Sequence, residues 1–290
     1  MSDDRPHGTP RADARVAETF ERIRSDRSRG ARALAGEALR VLSRWVEDWG
    51  RAPDAGGPET FRQTARLLEG AQPAMGPFLR WAAEWRRMAR SVRAGRRVGA
   101  ARSWIRREQA RLRNEPKGLA RTSRRRFPRV RRIVTLSRSE SVLTALRATA
   151  WTRPPVQVRV LESLPGGEGR PFAADVRRSG RWSRVIPDRE GAAAVTDSDL
   201  LLIGADAVFS DGSVVHKVGT RKLALAAVRA GVPVVVVAGR SKFTGRPPPR
   251  RRLPAAFDRT PSRCISEFWT DQGAVSGGAS RRLRPRSVPL

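Results

Sequence analysis

Asp206, His216 and Lys217 lie close together in the sequence, between two runs of apolar residues. A carboxyl group and an imidazole can exchange a proton near neutral pH when their surroundings shift their pKa values, and an ammonium group binds phosphate. Taken alone, Asp206 suits a turn or a helix cap as well as a catalytic role, and Lys217 suits a solvated surface. The three residues are therefore candidates whose placement depends on the elements around them.

These elements predict a strand, helix, strand unit. Leu200–Ile203 is an all-apolar run, typical of a strand that is buried on both faces. After a loop that contains glycine, apolar residues at helical spacing occupy 223–230, and Gly231 is placed to cap the helix. Residues 232–237 supply a second buried strand. Because ligands on a parallel sheet bind at the carboxyl ends of the strands, we expect the three candidates to face a ligand there.

The whole chain predicts an α/β fold, with a doubly wound, mostly parallel Rossmann-like sheet domain preceded by an all-helical N-terminal domain. Further strand patterns alternate with helical ones at 133–136, 156–161 and 182–186. Before them, apolar stripes that contain tryptophan recur at helical spacing and indicate packing residues rather than a platform for bases. We expect a flexible N-terminus at 1–19, a helical domain at 20–128, the sheet domain at 129–276 and a basic tail at 277–290.

The composition is strongly basic, with 59 Lys and Arg against 28 Asp and Glu and a net charge of +31. Only four of the basic residues are lysines, a bias that a GC-rich genome would also produce. The excess is concentrated between Arg86 and Arg132, where 19 residues are basic and 2 are acidic. We expect residues 89–128 to be helical in their first half. The basic segment is either a solvated helix face or a binding surface for RNA or another polyanion.

The cysteine and histidine content excludes several classes of site. Cys264 is the single cysteine, and His7 and His216 are the two histidines, so an internal disulfide and a clustered His/Cys metal site are excluded. We expect Cys264 to be a small buried residue on a helix. No apolar run reaches the ~20 residues of a membrane span, and the N-terminus lacks the apolar core of a signal peptide. The expectation is a cytoplasmic protein without metal, cofactor or membrane partner.

The stretch GADAVFSDGSVVHKVGT, followed by LALAAVRAGVP and SKF, resembles the signature of the alpha, beta and delta subunits of eukaryotic initiation factor 2B. The resemblance covers roughly residues 27–273. That family also contains isomerases of methylthioribose 1-phosphate and ribose 1,5-bisphosphate. The resemblance implies a phosphorylated sugar or a nucleotide as ligand. It also implies a homodimer or a larger homo-oligomer, because family members pair through the sheet domain.

The resemblance extends to residues that would contact the ligand. In the isomerases a similar Arg-Gly-Ala run contacts the sugar phosphate, and here that run precedes a predicted helix, where backbone amides favour phosphate. An Asn-Lys pair of the family is a His-Lys pair in this chain. Gln72 stands at a break where the family commonly has arginine, so one expected phosphate contact is replaced. The candidate ligand-binding residues are Arg29, Gly30, Ala31, Gln72, His216 and Lys217.

The catalytic pair of the family is incomplete here. The isomerases use a cysteine and the aspartate of the GAD motif, and the resemblance places Asp206 at the aspartate and Ser137 at the cysteine. A thiol with a pKa of about 8.5 exchanges a proton near neutral pH, whereas a serine hydroxyl does not. We therefore predict a noncatalytic or regulatory binding protein. The alternative is a diverged aldose-ketose isomerase in which His216 replaces the lost proton donor beside Asp206.

Overall fold

The structure is a computed structural model that describes residues 11–26, 29–49, 57–126, 130–148, 156–247 and 253–278. Its contacts divide into two compact units. The helical unit comprises Met1–Pro73 and Pro77–Leu112, and the sheet unit comprises Ala74–Gly76 and Arg113–Leu290. The predicted boundary at residue 128 lies just before the first strand, whereas the contacts divide earlier, within the last N-terminal helix.

The N-terminal helices form around buried tryptophans. The rings of Trp49, Trp81, Trp85 and Trp104 meet edge to face, with centroids 5.5 to 6.0 Å apart. This packing confirms that the tryptophans belong to a core, where such edge contacts add to the burial of apolar area. The helices are α1 (Arg11–Ser25), α2 (Ala31–Trp49), α3 (Pro58–Ala71), α4 (Gly76–Ser91) and α5 (Arg97–Arg124).

The expected flexible N-terminus is wrong from Arg11 onward, where α1 begins. Val16, Phe20 and Ile23 recur at helical spacing on this helix, and all three side chains are buried. They pack where α1 contacts α2 and α3. The polar composition of this segment hides a stripe of only a few apolar residues, which is sufficient to dock a helix. Residues 1–10 lie outside the described part of the chain.

The basic segment is helical throughout α5, not only in its first half, and the helix continues through Pro116. Proline has no N–H to donate to the carbonyl four residues earlier, so the carbonyl of Leu112 loses its helical partner. The Nε atom of Arg32 donates to that carbonyl at 3.4 Å. A side chain thus replaces the missing helical hydrogen bond. None of the described helices is long and apolar enough to cross a membrane.

The sheet unit contains a seven-stranded sheet and a three-stranded sheet, ordered β10-β9-β7-β4-β1-β2-β3 and β5-β6-β8. In chain order their elements are β1 (Arg132–Leu136), α6 (Glu140–Ala148), β2 (Gln157–Leu161), α7 (Gly169–Arg178), β3 (Trp182–Ile186), α8 (Gly191–Thr196), β4 (Leu200–Ile203), β5 (Ala207–Val208), β6 (Val214–Lys217), α9 (Thr220–Ala230), β7 (Val234–Val237), β8 (Phe257–Thr260), β9 (Glu267–Thr270) and β10 (Gly273–Ser276).

The large sheet is parallel except for β10, which pairs antiparallel with β9. Alternate side chains of its central strands enter two cores. Leu201 and Ile203 join α8 and α9 on one face, whereas Leu200 and Leu202 join α6 and α7 on the other. The predicted doubly wound sheet, preceded along the chain by a helical N-terminal region, is therefore confirmed. The chain runs outward from β1 to β3 and then returns to place β4 on the other side of β1.

The segment between β4 and α9 is not a plain loop, because it forms β5 and β6. The sequence patterns did not indicate that β6 pairs antiparallel with β8, which is distant in the sequence. Gly231 caps α9 in the left-handed conformation, with φ +70°, as predicted. Cys264 is buried as predicted but lies on a short 3-10 turn rather than on a helix. Most of the predicted basic tail, 279–290, lies outside the described residues.

The packing of α1 generates a stability prediction. Phe20→Ala should lower the free energy of unfolding of the helical unit by about 3 to 5 kcal/mol, because it removes a fully packed ring. Arg15→Ala on the exposed side of the same helix should change it by no more than about 0.5 kcal/mol. Urea denaturation followed by tryptophan fluorescence measures both. Equal, small effects would show that α1 is not part of the packed unit.

Candidate functional site

Ser137 and Asp206 follow two neighbouring parallel strands. β1 ends at Leu136 and β4 ends at Ile203, and the two strands pair directly. The order of the sheet reverses between these strands, since β2 and β3 lie beyond β1 and β7 lies beyond β4. In open α/β sheets ligands bind at the carboxyl ends of the strands at such a reversal. The fold thus brings two of the predicted site residues to the position where a ligand is expected.

The main chain at Ser137 is held in an uncommon conformation. Its φ is +58°, and that of Ser163 after β2 is +66°. The N–H of Ser137 donates to Oγ of Ser163 at 2.6 Å, and this hydroxyl donates to the carbonyl of Leu161 at 3.0 Å. The carboxylate of Asp188 accepts from the N–H groups of Ser163 and Leu164, both at 2.8 Å. Left-handed non-glycine residues are strained, so this network fixes the direction of the Ser137 side chain.

Asp206 is held by its main chain at the start of the segment that leads to β5. Its N–H donates to the carbonyl of Val215 at 2.8 Å, and its carbonyl accepts from the N–H of Gly76 at 2.7 Å. Removal of water by the surrounding protein raises the pKa of the Asp206 carboxyl, and the positive charges of Lys242 and Lys217 oppose that rise. The carboxyl group is therefore an acid or base that lies near two cations.

Lys242 belongs to this group of charges although it is absent from the sequence-based candidates. It lies on the 3-10 turn after β7, is 7% exposed, and places Nζ 3.4 Å from Oγ of Ser141 on α6. Glu115 fixes this turn, because its carboxylate accepts from the N–H of Ser241 at 2.7 Å. Burial raises the pKa of Glu115, and the charge of Lys242 opposes the rise. The available signal was the SKF motif, which contains Lys242.

Lys217 is not the solvated lysine that its sequence context alone suggested. Its side chain is 14% exposed, and Nζ lies 2.5 Å from Oε1 of Glu168, the residue before α7. The lysine ends β6, so the ion pair joins the small sheet to a helix of the large one. One carboxylate already balances this ammonium group. A phosphate ligand would therefore compete with Glu168 for Lys217.

His216 is enclosed in the small sheet. It pairs across β6 and β8 with Asp258, and its Nδ1 lies 3.5 Å from Oδ1 of that residue. Both ring nitrogens are buried, and among the described residues neither makes a hydrogen bond of normal geometry. Burial lowers the pKa of His216 to about 4. Asp258 is engaged elsewhere, since it accepts from the N–H of Gly219 at 2.8 Å and caps the start of α9. His216 is therefore neutral at pH 7.

Arg29 lies in the helical unit and is paired with two carboxylates. Its Nε donates to Oδ2 of Asp26 at 2.6 Å, and its Nη1 donates to Oε2 of Glu37 at 2.6 Å. The hydrogen bonds from Asp26 and then Glu37 raise the pKa of the guanidinium. The side chain is 41% exposed, so it remains accessible to a solvent-borne anion. These carboxylates would compete with a phosphate for Arg29.

The remaining candidates in the helical unit lie near Arg29, around the end of α1 and the start of α2. The carbonyl of Gly30 accepts from the N–H of Ala33 at 3.0 Å as α2 begins, and Ala31 is buried. Nε2 of Gln72 donates to the carbonyl of Ile23 at 2.5 Å. Gln72 thereby holds the end of α1, a structural contact that the sequence did not indicate. The candidates thus form two groups, one in each unit, and their roles in ligand binding stay predictions.

Known proteins resemble this chain over most of its length. The model of the Initiation factor 2 subunit family matches residues 27–254. The chain belongs to this family. The predicted resemblance is therefore confirmed, since the match covers most of both units. Among relatives, a ribose 1,5-bisphosphate isomerase of Haloferax volcanii is 30% identical over 246 residues, which covers 81% of this chain and 71% of the relative.

Solved structures of the family share the fold. The Pyrococcus horikoshii OT3 translation initiation factor eIF-2B superposes with a TM-score of 0.76 at 23% identity, covering 96% of this chain and 99% of the other. The tetrameric eIF2B-beta2-delta2 complex from C. thermophilum gives a TM-score of 0.74 at 16% identity, with 92% of each chain covered. At these identities the likeness concerns the fold alone.

Gly76 provides a steric test of the site. A Cβ atom at this position would clash with the main-chain carbonyl of Lys242. Gly76→Ala should therefore lower the free energy of unfolding of the sheet unit by about 1 to 3 kcal/mol, the usual cost of overpacking. Gly70→Ala in α3 meets no atom within 4 Å and should stabilise its helix by about 1 kcal/mol. Urea denaturation distinguishes them, and a neutral Gly76→Ala would contradict the close approach.

The buried imidazole predicts a pH dependence. The pKa of His216 is lowered to about 4, whereas an unfolded histidine titrates near 6.5. Between these values the unfolded chain binds more protons, so stability should fall as pH drops from about 6.5 to about 4. The contribution of His216 is about 3 kcal/mol over that window. Urea denaturation at several pH values should show a steeper loss for the wild type than for His216→Asn. Parallel profiles would contradict a buried neutral imidazole.

Proposed function

We propose that this protein binds a phosphorylated sugar or a nucleotide at the carboxyl ends of β1 and β4 and does not turn it over. The observation that carries the proposal is the combination of Asp206 with two nearby lysines, next to Ser137, where the family resemblance leads us to expect the catalytic cysteine. The site retains groups that hold an anion and lacks one half of the acid-base pair.

Binding is supported by the two ammonium groups and by the start of α6. Lys217 and Lys242 both act on the carboxyl group of Asp206, so their charges converge on one region of the sheet unit. Ser141 lies in the first turn of α6 and is the neighbour of Lys242. A phosphate placed among these groups would gain charge-assisted hydrogen bonds, each worth about 1.5 to 3 kcal/mol. Glu168 balances the charge of Lys217.

The absence of turnover rests on proton transfer. An aldose-ketose isomerase moves a proton between two neighbouring carbons and therefore needs an acid and a base with suitable pKa values. Asp206 supplies one group, with its pKa raised by burial. The hydroxyl of Ser137 does not titrate near neutral pH. His216 is a poor replacement, because with a pKa of about 4 it is neutral at pH 7 and lacks the imidazolium proton that a general acid would donate.

The second candidate function is a diverged aldose-ketose isomerase. Its support is the 30% identity to a protein named ribose 1,5-bisphosphate isomerase, together with the retained Asp206. In this version the bound ligand would have to raise the pKa of His216, as a nearby phosphate dianion does for an imidazole. The two functions share the ligand and differ only in turnover.

We also propose the partners that the resemblance suggests. The tetrameric complex among the structural neighbours is consistent with an oligomer, and the family resemblance leads us to propose a homodimer or larger homo-oligomer for this chain. Arg29, Gly30, Ala31 and Gln72 are proposed as further ligand contacts on the strength of the family resemblance. RNA is proposed as a partner of the basic segment, because both of its carboxylates, Glu108 and Glu115, are buried.

Ligand binding can be tested by thermal shift and calorimetry with ribose 1,5-bisphosphate. Lys217→Gln and Lys242→Gln should each weaken binding by about 1.5 to 3 kcal/mol, since each removes a charged hydrogen-bond donor. The matched control is Lys222→Gln, because Lys222 is an exposed lysine on α9. It should leave the dissociation constant unchanged. Equal effects of all three substitutions, or no binding by the wild type, would contradict the proposed site.

Turnover separates the two functions. The wild type should isomerise ribose 1,5-bisphosphate and methylthioribose 1-phosphate at background rate, and Ser137→Cys should raise that rate by about 10²-fold or more. Asp206→Asn added to Ser137→Cys should remove the gain while binding persists. Clear wild-type turnover that His216→Asn abolishes would instead establish the diverged isomerase.

A further inference from the structure

A row of exposed cations lies along the C-terminal half of α5, within the sheet unit. Its members recur every four residues, which places neighbours about 6 Å apart along a helix axis. Neighbouring residues at this spacing lie on the same side of the helix. The residues are Arg113, Lys117 and Arg121 on α5, and Arg125 in the turn that follows. All four side chains are exposed.

This row is not neutralised. Among the described residues no carboxylate lies within ion-pair distance of any of its four members. Other exposed helices of the protein balance their arginines locally, since Arg24 pairs with Glu21 at 2.7 Å on α1 and Arg62 pairs with Glu59 at 3.2 Å on α3. Glu115, the acidic residue of α5 closest to the row, is buried and holds the turn before Lys242. An ordinary solvated helix face carries interspersed charges of both signs, and this one does not.

The row ends at a pocket. A cavity of about 190 Å³ lies between the end of α5 and the turn that joins β9 to β10. Its cationic side chains are Arg121, Arg125 and Arg126, and Gln272 lies on the opposite wall. Thr122 fixes the two walls together, because its hydroxyl donates to the carbonyl of Thr270 at 2.8 Å. The pocket is therefore built on two anchored elements and has room for a phosphate group.

Among the described residues, Glu267 and Asp271 are the acidic residues near this pocket, and both are engaged, since Oδ1 of Asp271 accepts from the N–H of Arg240 at 2.7 Å. Oε1 of Glu267 lies 3.4 Å from Nη1 of Arg126, and its Oε2 accepts from the indole N–H of Trp269 at 2.6 Å. The guanidinium groups of Arg121 and Arg125 therefore keep their full capacity to donate hydrogen bonds. Guanidinium donors match phosphate oxygens in a bidentate arrangement.

Building on the RNA partner proposed above for the basic segment, we propose that this row and its terminal pocket bind the phosphodiester backbone of a nucleic acid strand. Repeated cations suit a ligand with repeated charges, whereas a single phosphorylated metabolite would use the pocket alone. The row contains no aromatic side chain for stacking on bases, so contacts go to phosphates and binding does not depend on base sequence. The row and the pocket use none of the residues of the proposed sugar-phosphate site.

Fluorescence anisotropy with labelled oligouridylate and oligothymidylate tests the proposal over a series of salt concentrations. Four phosphate contacts predict a log-log slope of about −3 for the binding constant against salt. Arg121→Gln with Arg125→Gln should reduce the magnitude of that slope by about 1.4 and weaken binding at low salt by tenfold or more. Inorganic phosphate should compete only weakly, because it occupies the pocket and leaves the row free.

The matched control is Arg62→Gln with Arg66→Gln on α3, which changes the net charge equally but removes arginines that already share Glu59. It should alter affinity by less than about twofold. Arg113→Gln with Lys117→Gln is a second variant on the row and should reproduce the loss. Equal losses in the row and control variants, loss of binding on Lys217→Gln, or no saturable binding of either strand at low salt would each overturn the proposal.

Discussion

The main chain of Asp206 is fixed on both sides, and the candidate site depends on this constraint. Its N–H is held by Val215 of the small sheet, and its carbonyl is held by Gly76 at the start of α4. Gly76 also lies against the carbonyl of Lys242, so a side chain at position 76 would clash with the main chain that carries this lysine. Three segments that are distant in sequence thus meet at one aspartate. The charge distribution around it follows from main-chain geometry that side-chain substitutions elsewhere leave intact.

The main chain at position 137 is likewise fixed without any contribution from its own side chain. The hydrogen bonds from Asp188 through Ser163 to Ser137 act on main-chain atoms, and they hold position 137 whichever small side chain stands there. The lysines near Asp206 are likewise positioned by neighbouring elements rather than by Ser137. Under the proposed function, serine at this position would remove proton transfer while Lys217 and Lys242 keep their positions. The two proposed functions therefore differ in proton transfer and not in the groups that would hold the anion.

Much of the sheet could be predicted from the sequence, because β1, β4 and β7 are short apolar runs between clear helical patterns. α1 was missed, since its buried stripe consists of a few residues such as Phe20 within a polar segment. β6 was missed because its stability depends on β8, a partner distant in sequence. In the candidate site, the residue types were enough to single out Asp206 and Lys217. Their burial, the ion pair of Lys217 with Glu168 and the proximity of Lys242 to Asp206 arise from tertiary packing. No periodic pattern records such contacts.

The placement of Cys264 has a consequence for redox chemistry. This thiol is the only one in the chain, it is 1% exposed, and burial raises its pKa. Thiolates at accessible sites are the species that peroxide and alkylating agents attack. With serine at position 137 and its sole sulfhydryl group shielded in the core, the folded protein offers such reagents no accessible thiolate. Thiol-directed reagents should therefore modify the chain only after it unfolds.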